Sequence, residues 1–123
     1  MMKKLTPVLI VDAIEPVLPL WTALGFARTA EVPQGDRLGF VILAKDNVEL
    51  MYQTRDSIAH DEPRMLERAL GASGIFIEVE KLDDVVFPEG TDVIVARRTT
   101  PYGATEAIVR DAAGNAIVFA QFG

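Results

Sequence analysis

The sequence predicts an α+β fold in which two tandem β-α-β-β-β modules form a curved, eight-stranded open barrel with helices outside. Three observations carry this expectation. The stretch Arg110-Asp111-Ala112-Ala113-Gly114-Asn115 leads into Ala116-Ile117-Val118-Phe119-Ala120-Gln121 and reads as a strand end, a tight turn and a closing strand. Asp and Asn form such turns, Gly supplies the positive φ, and β-branched and aromatic residues suit the strand. A looser copy lies earlier, from Ala44-Lys45-Asp46-Asn47 into Val48-Glu49-Leu50-Met51-Tyr52-Gln53. Each copy ends an apparent run of one strand, one helix and three strands. A four-stranded sheet with one helix leaves its second face wet, so two modules packed edge to edge satisfy the pattern and enclose a hollow suited to a small molecule.

The 123 residues make one domain, 1–123, with modules at about 5–53 and 74–122 and a connector at about 54–73; half of the residues are hydrophobic, enough for a real core. There is no cysteine, which excludes disulfides, zinc-thiolate sites and cysteine nucleophiles. Twelve Lys and Arg against 18 Asp and Glu give a net charge of −6, which disfavours nucleic acid as a partner. Met1-Met2-Lys3-Lys4 mimics the basic start of a signal peptide, but Asp12 and Glu15 interrupt the apolar run behind it. No stretch approaches the ~20 apolar residues of a membrane span, so a soluble cytoplasmic protein is expected.

Taken in order, Leu5 to Val11 is an apolar first strand with Pro7 near its start. Ile14 to Leu24 reads as a helix stopped by Gly25, with Pro16 in its first turn and Pro19 delaying its start. Its apolar face is Val17, Leu20, Trp21 and Leu24, with Trp21 as core anchor. Strands follow at Phe26–Val32, Arg37–Ala44 and Val48–Gln53, the first two joined by the turn Pro33-Gln34-Gly35-Asp36. In the connector, Asp61 caps a short helix from about Glu62 to Leu70 that Gly71 ends. The second module has strands at Gly74–Glu80, Asp92–Thr99, Thr105–Arg110 and Ala116 onward, with a helical turn over Leu82–Phe87.

The segments Thr6-Pro7-Val8-Leu9-Ile10-Val11-Asp12, Leu20-Trp21-Thr22-Ala23-Leu24-Gly25-Phe26, Val48-Glu49-Leu50, and Tyr102-Gly103 with Val109-Arg110-Asp111-Ala112-Ala113-Gly114-Asn115 resemble the vicinal oxygen chelate superfamily of glyoxalase I, extradiol dioxygenases, and fosfomycin- and bleomycin-resistance proteins. The resemblance spans the whole chain. It implies the paired-module fold, a homodimer and, in the metal enzymes, four ligands: His or Gln on the first strand, a carboxylate on the fourth, His on the fifth and Glu on the eighth. Matched here, the first position is Thr6 or Leu5, the fourth-strand position is Glu49, the fifth is Gly74 and the eighth is Val118. One ligand of four survives. No cofactor and no metal is expected, and the resemblance points to the bleomycin-resistance branch.

Without a metal, the hollow is an apolar, aromatic cleft. Strand alternation puts Met51 and Gln53 on the face of Glu49, and Phe76 and Glu78 on that of Gly74, while Tyr102 overhangs from its turn. Glu49, Met51, Phe76, Glu78 and Tyr102 are therefore the candidate ligand-binding residues, and no catalytic residue is assigned. Arg97, Arg98 and Arg110 are candidate partners for Glu49, since an isolated buried carboxylate is costly. Phe40, Phe76 and Phe119 read first as core. His60, the single histidine, reads as a solvated loop residue, and Ser57, His60 and Asp61 are too crowded in one segment to line up for nucleophilic catalysis. The sequence reading is a metal-free protein that sequesters an aromatic or cationic ligand, with no nucleic acid or membrane partner. The alternatives are a metal-dependent glyoxalase- or dioxygenase-like enzyme using Glu49, or a metal-free isomerase or lyase with Glu49 or Glu78 as base.

Overall fold

The structure, a computed structural model, describes residues 4–66 and 73–123. It divides into two compact units, Met1–Gly71 and Ala72–Gly123. In the first unit, β1 (Val8–Val11), α1 (Leu18–Ala23), β2 (Ala27–Gln34), β3 (Arg37–Lys45), β4 (Val48–Thr54) and α2 (Arg55–Asp61) follow one another. The second holds β5 (Gly74–Glu78), β6 (Asp92–Thr99), β7 (Ala104–Arg110) and β8 (Ala116–Phe122), with a 3₁₀ turn at Leu82–Asp84. The sheets have the equivalent orders β1-β4-β3-β2 and β5-β8-β7-β6. The first strand of each lies parallel to the last, and the other pairs are antiparallel. The two-module α+β fold is thus present. Among the described residues, hydrogen-bonded pairing runs over four strands in each sheet, one sheet to each unit.

In the first unit, alternation sorts the strands into two faces. Leu9, Val11, Val41, Leu43, Leu50 and Tyr52 are buried, and so are Leu18, Leu20 and Trp21 of α1. Trp21 has no exposed surface and donates its indole N–H to the Tyr52 hydroxyl at 3.0 Å. Phe26 packs edge-on against the same indole, with ring centroids 4.9 Å apart. The expected core anchor is confirmed, and its one polar atom is satisfied inside the core.

Several boundaries moved for local reasons. The first strand starts at Val8 and not Leu5; Pro7 has no N–H to donate, though its carbonyl accepts from Met51 at 2.9 Å. Pro16 and Pro19 split the expected helix into a 3₁₀ turn at Glu15–Val17 and the short α1. Strand β2 runs through Pro33 to Gln34, which leaves Gly35 (φ 68°) and Asp36 as a two-residue hairpin. The connector differs most. Its helix is Arg55–Asp61, capped by Thr54 Oγ1 accepting from the Ser57 N–H at 3.1 Å, and Asp61 ends it instead of starting one. The start of the helix expected over about Glu62–Leu70 is a 3₁₀ turn at Pro63–Leu66, and its remainder, with the stop at Gly71, lies outside the described residues.

In the second unit, Ile77, Val109, Ile117 and Phe119 form the core face, joined by Leu82 of the 3₁₀ turn and by Phe87, whose ring centroid lies 5.4 Å from that of Phe119. The turn before β8 is built as expected. Asp111 Oδ1 accepts from the N–H groups of Ala113 (3.0 Å) and Asn115 (2.8 Å), and Gly114 adopts φ 91°. Buried Asn115 donates to Asp111 Oδ2 at 3.0 Å and accepts the Ser73 N–H at 2.7 Å. One Asx turn therefore also anchors the entry of β5.

Close approach constrains Gly39 of β3. A Cβ there would lie 2.7 Å from Cβ of Gln34 and 3.1 Å from Cβ of Ser57. Gly39→Ala is expected to lower stability by about 1–3 kcal/mol, as overpacking does. Gly35→Ala has open space but a left-handed φ, so it should cost only about 1 kcal/mol. Urea unfolding midpoints of the two variants check the order.

Candidate ligand-binding site

Glu49 stands on the β4 face opposite the core, beside Met51 and Gln53, all half-buried. Its carboxylate receives Lys4 Nζ at 2.9 Å and the Thr6 hydroxyl at 3.1 Å. Lys4 first, and Thr6 with it, hold the carboxyl below the ordinary glutamate range. The expected arginine partners are elsewhere: Arg97 on Asp83, Arg98 on Glu106 and Arg110 on Asp92. A carboxylate stabilised in this way is a poor general base, and its charge is already met.

The resemblance implies a metal site, and the side chains here do not fit one. Thr6 donates its hydroxyl to Glu49, so that pair satisfies itself. Gly74 and Val118, on β5 and β8, have no donor atom to offer. Among the described residues, no three His, Asp or Glu side chains cluster. His60 is exposed in the last turn of α2. Ser57 accepts from the Gln53 amide at 3.1 Å.

The second unit holds a more developed constellation. Register places Glu78 beside Ala120, Ala120 beside Glu106 and Glu106 beside Arg98, so these residues form one row across the sheet on the face opposite its core. Glu106 has no exposed surface. Arg98 donates to its Oε1 through Nε at 2.9 Å and places Nη2 2.8 Å from the same oxygen as an ion pair, and the Tyr102 hydroxyl donates to its Oε2. The Tyr102 hydrogen bond, then Arg98, hold the Glu106 carboxyl below the ordinary range; the same contact pushes the Tyr102 phenol up. A hairpin makes this possible: Thr100 accepts at its carbonyl from Gly103 N–H and bonds Ala104 by backbone and side chain, fixing Tyr102 over β7.

Three rings border the row. Phe122, opposite Ala104 in the register, lies 6.3 Å from Phe76 and 6.2 Å from Tyr102, centroid to centroid. Phe76, Tyr102 and Phe122 are 51%, 57% and 45% exposed, unusual for large apolar rings that could have been buried. Phe76 is therefore not core, whereas Phe119 is buried and Phe40 half-buried. The structure brings Phe76 and Tyr102 around one ring and sets exposed Glu78 in the adjoining row; Glu49 and Met51 belong to the first unit. Sequence reasoning missed Glu106, Arg98's role on it, and Phe122.

A shallow groove of about 610 Å³ also exists in the first unit, lined by residues including Glu15, Leu18, Thr22, Arg28, Glu31 and Leu38. It presents no ring, and its charges are committed. Arg28 pairs with Glu31 at 3.1 Å, and Glu15 accepts the Leu38 N–H at 2.7 Å, which lowers its pKa. The aromatic face of the second unit is the stronger candidate.

Solved structures show where this architecture occurs. The chain superposes on a glyoxalase/bleomycin resistance protein/dioxygenase family enzyme from Burkholderia phytofirmans PsJN with TM-score 0.73 and 13% identity, covering 94% of this chain and 95% of that one. It matches a lactoylglutathione lyase from Agrobacterium tumefaciens at TM-score 0.73 and 15% identity, over 97% and 92% of the two chains. It also matches the bleomycin-binding protein of bleomycin-producing Streptomyces verticillus, solved with copper(II)-bleomycin, at TM-score 0.60 and 24% identity, over 100% and 99%. No protein-family model matches the chain, and no curated protein does. The chain has the fold of the glyoxalase, bleomycin-resistance and dioxygenase proteins, the vicinal oxygen chelate fold that the sequence resembles.

Two opposite titrations follow from the Tyr102–Glu106 contact. Glu106 has a lowered folded pKa, so its stabilising effect is present above the ordinary value of 4.5 and is lost as pH falls through the folded value. Tyr102 has a raised pKa, so its effect is present below the ordinary value of 10.0 and is lost as pH rises through the folded value. Melting temperature measured from pH 3 to 6 should fall less steeply on acidification in Glu106→Gln than in the parent protein. Equal slopes would remove Glu106 from the account.

Proposed function

We propose that this chain is a small-molecule-binding protein of the bleomycin-resistance type that sequesters an aromatic ligand without a metal, on the face of the second sheet bordered by Phe76, Tyr102 and Phe122. The observation that carries this reading is the exposure of three neighbouring rings around a fixed, fully buried carboxylate. Exposed aromatic clusters beside oriented polar groups are what ligand sites present, because the rings supply contact area and the polar groups supply orientation. The unfit donor set at Thr6, Glu49, Gly74 and Val118 supports a mode of action that needs no Lewis acid. The fold likeness to a bleomycin-binding protein supports the class but not the drug. A role in antibiotic resistance and a homodimeric state, which the resemblance implies, belong to the same proposal. No helix among the described residues is long and apolar enough to cross a membrane.

Sequestration predicts binding without turnover. Phe76→Ala, at a half-exposed position, should shift the melting temperature little and weaken an aromatic ligand about tenfold, the scale of one lost ring contact. Thermal-shift screening of aromatic compounds, followed by calorimetric titration of a hit against both proteins, checks this. Unchanged affinity would place the ligand elsewhere.

A further inference from the structure

Resting on that reading, we infer that the aromatic face selects ligands bearing an anionic group, such as an aromatic carboxylate, and that Arg98 is the residue that receives it. Glu106 cannot serve a ligand cation: it is fully enclosed, Oε1 takes the Nε–H of Arg98 with Nη2 ion-paired 2.8 Å away, and Oε2 takes the Tyr102 hydroxyl. A cationic ligand would have to break these bonds and displace a guanidinium. Arg98 is in the reverse position. Its side chain is 48% exposed, and only its Nε and Nη2 are engaged by Glu106. A guanidinium has five N–H donors in a rigid fork, so the remaining ones stay available to a second oxyanion. The buried carboxylate thus removes the rotational freedom of Arg98 and leaves a preoriented donor edge facing outward.

Position supports the same assignment. Arg98 and Glu106 are paired across β6 and β7, and Tyr102 sits in the hairpin that joins those strands. A ring resting on Tyr102 and Phe122 brings its substituent over that hairpin. Other charges do not compete. Arg97 is bound to Asp83, Arg110 lies 3.8 Å from Asp92, and Glu78 is exposed on β5, separated from β6 by two strands. Bidentate Arg–carboxylate geometry gives both strength and discrimination over a neutral or cationic head group.

Three probes sharing one ring system separate the terms: 2-naphthoate, 2-naphthylmethanol and 2-naphthylmethylammonium, each titrated calorimetrically into the 123-residue chain. The expected order is carboxylate tighter than alcohol by about tenfold or more, with the ammonium weakest. Loss of Arg98 alone strands a buried carboxylate, so the informative variant is the neutral pair Arg98→Met with Glu106→Gln, in which the new amide oxygen still accepts from Tyr102. It should stay folded, bind the alcohol as the parent does, and lose the preference for the carboxylate. A preference that survives in that variant overturns the assignment, as does a tighter ammonium. Equal binding of all three probes overturns this inference alone and leaves the aromatic site standing. Failure of every probe removes both. Sedimentation showing that carboxylate binding requires dissociation of a dimer would assign the face to a second copy and also overturn it.

Discussion

The arrangement of the second sheet turns on one buried carboxylate. Glu106 is placed in the interior of an apolar strand, where an unpaired charge would be prohibitive, and it is tolerated because both of its oxygens are engaged at once, Oε1 by Arg98 and Oε2 by Tyr102. That requirement fixes the β6–β7 register, holds the Thr100–Gly103 turn over the sheet and keeps the Tyr102 ring beside Phe122. A hydrophobic residue at the same position would pack at less cost. The charge network at this position therefore does not follow from stability alone, which is the feature that the proposed binding role accounts for.

The two units use the same topology for different purposes. Each pairs its first strand parallel to its last, and each last strand carries, one residue before its end, a glutamine that ties it to a neighbouring element. Gln53 donates to Ser57 of α2, and Gln121 accepts the N–H of Leu82 at 2.7 Å. The first unit spends its aromatic residues internally, on Trp21, Phe26 and Tyr52, and neutralises its lone matched ligand position with Lys4. The second turns three rings outward.

Much of the fold was legible because strand alternation and turn chemistry are local. The Asp111–Asn115 turn and strand Asp92–Thr99 stand where the residues place them, and Trp21 anchors the core as its helical spacing requires. Helix α2 was not legible. Ile58 is its one buried residue, so it has no apolar stripe, and its cap, Thr54, doubles as the end of β4. The site was half legible. Phe76 and Tyr102 could be named from alternation and turn position, whereas Glu49 drew attention through a resemblance and proved to be paired by Lys4. Glu106 could have been found: Arg98 and Glu106 lie eight residues apart with Tyr102 four from Glu106, the spacing of a hairpin that sets a cation opposite an anion.

Amide chemical-shift mapping of the full chain with 2-naphthoate tests the central claim most directly. Binding at the aromatic face of the second sheet concentrates the perturbations at Gly74–Glu78, Thr99–Glu106 and Ala120–Phe122. Shifts centred instead on the groove lined by Glu15, Arg28 and Leu38, or on Glu49 and Lys4, would contradict it.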